Sequence, residues 1–175
     1  MKQFTLAIAL PLTTCLVLFG TLAIHAQPPV SPQEKMEKME ANRKLELILK
    51  VDKKTFAPTD SIKITFSVKN KGSEETRISF SDGQKYDFEL RKGKDMKSEK
   101  LWQLAKGRMS IMMVTSAKVA PGKLLTFTET FKPGADGGDG KPLPTLEPGL
   151  YSLTGVLRTL GAAPRLTKTI TFKVH

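Results

Sequence analysis

Between Phe80 and Leu90 the chain reads FSDGQKYDFEL, so an alternating run meets Asp82-Gly83 and a second alternating run follows with Tyr86, Phe88 and Leu90. Asp-Gly between alternating runs predicts a β-hairpin, because a type I′ turn needs positive φ at both central residues. The same period of two governs the residues before it. Leu45, Leu47, Leu49 and Val51 share one face, with Glu46 and Lys50 on the other. Ile62, Ile64, Phe66 and Val68 repeat the pattern against Lys63, Thr65, Ser67 and Lys69. A strand with one apolar and one polar face belongs in an antiparallel sheet that is packed on one side and wet on the other. Further strands are expected at 101–104, 123–131, 150–159 and 166–174, with a turn at 56–60 and another after Asn70.

Two places refine this reading. Pro148-Gly149 precedes Tyr151 at the start of a strand, and a tyrosine so placed folds its hydroxyl back onto the upstream chain, as in the tyrosine corner of immunoglobulin-like domains. Trp102 supplies a large aromatic for the core. About eight short strands with regular turn signals predict an all-β, immunoglobulin-like antiparallel β-sandwich. The last two strands should form a hairpin through residues 161–164.

Residues 1–26 read differently. Lys2 is followed by an apolar, uncharged run from Phe4 to Ile24, and Ala26 precedes Gln27-Pro28-Pro29. This is the layout of a secretory signal peptide, and it makes the product exported: periplasmic, cell-envelope or extracellular. An uncleaved anchor is the other reading, in which the membrane is met only through this segment. Cys15 is the only cysteine of the 175 residues and lies inside it, so the remainder has neither disulfide nor thiol. Residues 27–44 form a Pro-rich, charged tether, and 45–175 form the folded domain. The net charge of +11 comes mostly from dispersed lysines, which keep an exported domain soluble. No nucleic-acid motif accompanies them, and nucleic acid is not expected as a partner.

The inventory argues against catalysis. The two histidines are His25, inside the signal segment, and His175, the last residue, so a Ser–His–Asp or Cys–His centre lacks a base. No zinc site of His and Cys ligands, P-loop or dinucleotide fingerprint is present. No cofactor and no metal is expected. Asp136 and Asp139, in a Gly-rich stretch at 134–141, are too few carboxylates for a calcium loop and read as part of a long exposed excursion at 133–149. Lys106 to Met113 (KGRMSIMM) offers two readings: Arg108-Met109 as exposed protease bait, or Ile111, Met112 and Met113 as core filling. Packing is preferred for Met112 and Met113. Arg108, Met109, Asp136 and Asp139 are the candidate partner-binding positions.

The hairpin around Asp82-Gly83, a strand around Trp102, APGKLLTFTETF at 120–131 and LEPGLYSLTGVL at 146–157 together resemble the BsuPI family, whose name-giving member is an intracellular proteinase inhibitor. The resemblance spans about residues 45 to 174. It implies a non-catalytic domain that binds a protein partner, a serine protease, by a loop or edge strand. An export signal would place such a partner outside the cytoplasm. A structural or adhesive module of the cell envelope is the alternative.

Overall fold

Alternation on this scale is satisfied only when each apolar face meets another, and the chain does this with two facing β-layers. The computed structural model describes Ser31 and residues 44–95, 97–106, 108–138, 140–160 and 166–175. The signal segment and nearly all of the tether lie outside the described residues. Ten strands follow in order: β1 (Leu45–Val51), β2 (Thr55–Phe56), β3 (Ile62–Asn70), β4 (Thr76–Phe80), β5 (Tyr86–Lys92), β6 (Lys100–Gln103), β7 (Thr115–Val119), β8 (Leu124–Phe131), β9 (Gly149–Leu157) and β10 (Leu166–Val174). Among the described residues no helix is long and apolar enough to cross a membrane.

The three-stranded sheet β1-β3-β8 and the five-stranded sheet β2-β10-β9-β5-β6 are the two facing layers, and β4-β7 forms a separate two-stranded sheet, with Phe80 of β4 bridged to Thr159 just beyond β9. All pairings are antiparallel except that of the short β2 with β10. The expected hairpin of the last two strands is present, with Ile170 opposite Leu153. The layers meet through aromatic side chains. Phe66 of β3 lies edge-on to Phe88 of β5 at 5.9 Å, and Phe131 of β8 does the same to Trp102 of β6 at 5.3 Å. Around them Ile62, Ile64, Val68, Leu90, Leu153 and Leu157 are buried. The fold is an all-β sandwich, as the alternation predicts.

The tyrosine corner is formed. Tyr151 donates its hydroxyl to the Glu147 carbonyl at 2.7 Å, and its ring stacks on Phe172 at 5.8 Å. Gly149 takes a positive φ of 157°, far from the value near 80° that a type II turn needs, so Pro148-Gly149 opens β9 rather than closing such a turn.

The Asp82-Gly83 hairpin is not formed. β4 pairs with β7 and β5 with β9 and β6, so residues 81–85 carry the chain from the two-stranded sheet to the five-stranded one. Gly83 does not take positive φ. The Asp82 carboxylate accepts the Gln84 amide at 2.8 Å, the local side-chain turn that competes with a I′ turn at such positions. Arg158 fixes the other carboxylate oxygen at 3.2 Å.

A candidate partner-binding loop

After β6 the chain passes back from the five-stranded sheet to the β4-β7 sheet, and this connection carries a run of exposed apolar residues. β6 ends because the Asp87 carboxylate caps it: one oxygen accepts the amides of Phe88 at 2.8 Å and Ala105 at 2.9 Å, the other the Gln103 side-chain amide at 2.7 Å. Asp87 lies on the face opposite Phe88, as the alternation predicts, yet it is buried. Its negative charge is tolerated because three N–H donors surround it. Backbone bonds from Lys106 to Gln103 and from Arg108 to Ala105 then turn the chain outward.

Residues 108–114 run without regular structure to β7. Met109 and Met112 are 102% and 95% exposed, Ile111 75%, Val114 62% and Met113 56%. The expectation that Ile111, Met112 and Met113 fill core gaps is therefore overturned. The facing strands already close the core with Phe and Leu side chains, and β7 pairs with β4 in a separate sheet, so the connecting residues stand off the sandwich. Five apolar side chains on one loop form a contiguous exposed patch of a kind that marks binding surfaces.

The loop is held at several points. The Gly83 amide donates to the Ile111 carbonyl at 3.0 Å, and the Gln84 amide to Ser110 Oγ at 3.2 Å. Arg108 pairs with Glu129 of β8 at 3.2 Å, and the same carboxylate oxygen accepts the Tyr86 hydroxyl at 2.7 Å. Tyr86 is stacked on Phe127 at 4.4 Å. Burial, and then the bond to Glu129, push the Tyr86 phenol up to about 12. Between the two connections lies a groove of about 350 Å³, lined by Tyr86, Leu104, Arg108, Met109, Ile111 and Met113 among others.

Of the four positions singled out in the sequence, Arg108 and Met109 sit at the base of this loop. Asp136 shares a smaller cleft of about 160 Å³ with Arg108, which brings the two predicted loops together. Asp139 lies outside the described residues. Asp136 is not open to a ligand on both oxygens, since one accepts the Gly138 amide at 2.8 Å. The stretch after β8 is also less exposed than predicted: Gly134 and Leu143 exchange backbone bonds with their neighbours across a small turn, and Leu146 is buried in the core. The residues missed in the sequence are Asp87, Tyr86 and Glu129, which position the loop. A signal was present in Ile111-Met112-Met113-Val114, four consecutive apolar residues that fit neither a period of two nor one of 3.6.

The family model described as "Intracellular proteinase inhibitor" (BsuPI) matches residues 49–161, well over half of the chain. The chain belongs to the BsuPI family. The match covers residues 81–85 and the exposed loop at 108–114. No curated protein sequence matches the chain. Solved structures similar to this BsuPI-family chain include a β-glucosidase from Erythrobacter marinus (TM-score 0.41, 13% identity, 75% of this chain and 15% of that one). The sporulation control protein Spo0M from Bacillus subtilis (TM-score 0.40, 18% identity, 74% and 48%) is another. A third is the alkylpurine DNA glycosylase AlkC from Pseudomonas fluorescens (TM-score 0.40, 9% identity, 75% and 30%). The chain spans less than half the length of each of these structures.

Proposed function

We propose that this protein is a non-catalytic inhibitor that occludes the cleft of an exported serine protease with residues 108–114. Membership of a proteinase-inhibitor family supports a protease as the partner. The observation that carries the reading is the loop itself: apolar side chains held out in solvent on a segment tied down through the Ser110 hydroxyl and the Ile111 carbonyl. A loop fixed before binding loses less conformational freedom when it docks, which is what an inhibitor needs to outlast a substrate. The export assignment rests on the apolar run from Phe4 to Ile24 and the residues flanking it.

Titration of the purified protein against subtilisin-like and trypsin-like proteases tests this. Saturable inhibition with the loop intact supports it. Rapid cleavage within 108–114, or no effect on any protease, rejects it and favours the structural envelope module. Cell fractionation with N-terminal sequencing of the product tests export.

A further inference from the structure

We infer that Met109, rather than Arg108, is the side chain that enters the partner's primary specificity pocket, and that this pocket is apolar. The inference rests on the proposed function and narrows it to one anchor residue.

Arg108 is the more obvious bait from sequence, because a basic side chain suits a trypsin-like pocket. Its guanidinium is already engaged. Nη1 lies 3.2 Å from one Glu129 oxygen and Nη2 3.5 Å from the other. The Glu129 side chain is only 19% exposed. Sending Arg108 into a partner's pocket would break both of these guanidinium contacts and release the loop from β8. Arg108 therefore acts as a strut between the loop and β8.

Met109 is the next residue and is fully exposed. Fixed points flank it on both sides. Upstream are the Arg108 side chain and the Arg108 amide, which donates to the Ala105 carbonyl at 3.3 Å. Downstream are Ser110 and Ile111, tied to Gln84 and Gly83. Met112 is nearly as exposed, but the nearest tie beyond it is a short-range bond from the Met113 amide to the Ile111 carbonyl. Ile111 is held as well but is less exposed at 75%, so Met109 combines full exposure with fixed points before and after it. A long, unbranched thioether fills apolar pockets of varied shape and gains from burial there.

The test uses the full-length protein with Met109→Ala, Met109→Leu, Met109→Arg, Met112→Ala and Arg108→Gln, each assayed against subtilisin-like and trypsin-like proteases. The side chain of Met109 is fully exposed, so its variants should fold as the parent does. The parent should inhibit the protease with the apolar pocket preferentially. Met109→Ala should weaken inhibition by about 30-fold, as expected on truncating an interface anchor. Met109→Leu should recover most of that loss, Met109→Arg should turn the preference toward the trypsin-like enzyme, and Met112→Ala should change little. Inhibition that survives Met109→Ala unchanged overturns the inference while leaving the proposed function standing. So does preferential inhibition of the trypsin-like enzyme that Arg108→Gln abolishes. A parent that inhibits neither protease refutes both.

Discussion

Phe66 lies against the backbone of Gly155 across the two layers, so closely that a Cβ on Gly155 would sit 3.0 Å from Phe66 Cδ2 and 3.1 Å from Cε2. The glycine is there for space and not for its backbone angles, since its φ is not positive. Phe66 is fully buried and has Phe88 and Phe127 as ring neighbours, so it cannot swing away. Gly155→Ala should cost about 1–3 kcal/mol, the usual penalty for overpacking. Urea denaturation would measure it. Combined with Phe66→Leu, the two losses should add to less than their sum, because the smaller side chain relieves the clash.

Asn70 ends β3 by serving three backbone groups at once. Its amide nitrogen donates to the Glu74 carbonyl at 2.7 Å and the Val119 carbonyl at 2.8 Å, and its oxygen accepts the Gly72 amide at 2.8 Å. The residue is fully buried, so water cannot replace these bonds. Asn70→Leu should cost about 2–4 kcal/mol, since unsatisfied buried groups cost roughly 1–3 kcal/mol each and part of the turn can relax. Chemical denaturation would show the loss as a lower midpoint. Hydrogen exchange should localise it to the turn after β3 and the end of β7.

These two sites stand apart from the positions that are legible in the sequence. The periods of β1 and β3, the buried Trp102 and the tyrosine corner at Tyr151 depend on local alternation or on contacts a few residues apart, and each is found as predicted. The Asp82-Gly83 prediction failed because strand pairing is non-local. β4 finds its partner in β7, whose residues Thr115 to Val119 carry one small apolar residue, Ala117, and one fully buried one, Val119. Such a strand is specified by its partner more than by its own pattern. β2, two residues long, was likewise read as part of a turn. The exposed methionines escaped because composition reports that a side chain is apolar, while the path between sheets decides whether it is covered. Gly155 and Asn70 carry no periodic signal, and their roles exist only once the layers and the turn are in place.

Tyr86 links stability to alkaline pH. Burial and the bond to Glu129 raise its folded pKa to about 12, above the 10.0 of a free phenol. A raised value means that the native state holds its proton when the unfolded chain has lost it. The stabilisation is complete below pH 10 and is lost as pH rises toward about 12. Tyr151, the only other tyrosine, is also raised, with burial as the main cause. Spectroscopic titration of tyrosinate should therefore show less ionisation at pH 10 in the folded protein than in the unfolded chain. Tyr86→Phe should flatten the fall of Tm above pH 10. A tyrosine ionising at its ordinary value in the folded Tyr151→Phe variant would contradict the buried bond to Glu129.

Glu129 should control how firmly the exposed loop is held without deciding whether the domain folds. It receives Tyr86 at 2.7 Å and Arg108 at 3.2 Å from one carboxylate oxygen. Arg108 is half exposed, so the ion pair alone is worth little, roughly 0–1 kcal/mol. Glu129→Ala should accordingly lower Tm by only a few degrees. The same change releases Arg108 from β8 and removes the upstream side-chain anchor of the loop, leaving the ties at Ser110 and Ile111. Cleavage of backbone in a loop requires local opening, and its rate follows the population of the open form when opening is fast. Limited proteolysis should therefore cut Glu129→Ala within 108–114 several-fold faster than the parent, with mass spectrometry locating the site. Glu129→Gln, which can still accept from Tyr86 but lacks the charge, should fall between the two. If cleavage instead rises equally throughout the molecule, Glu129 supports the sandwich as a whole and does not act on the loop.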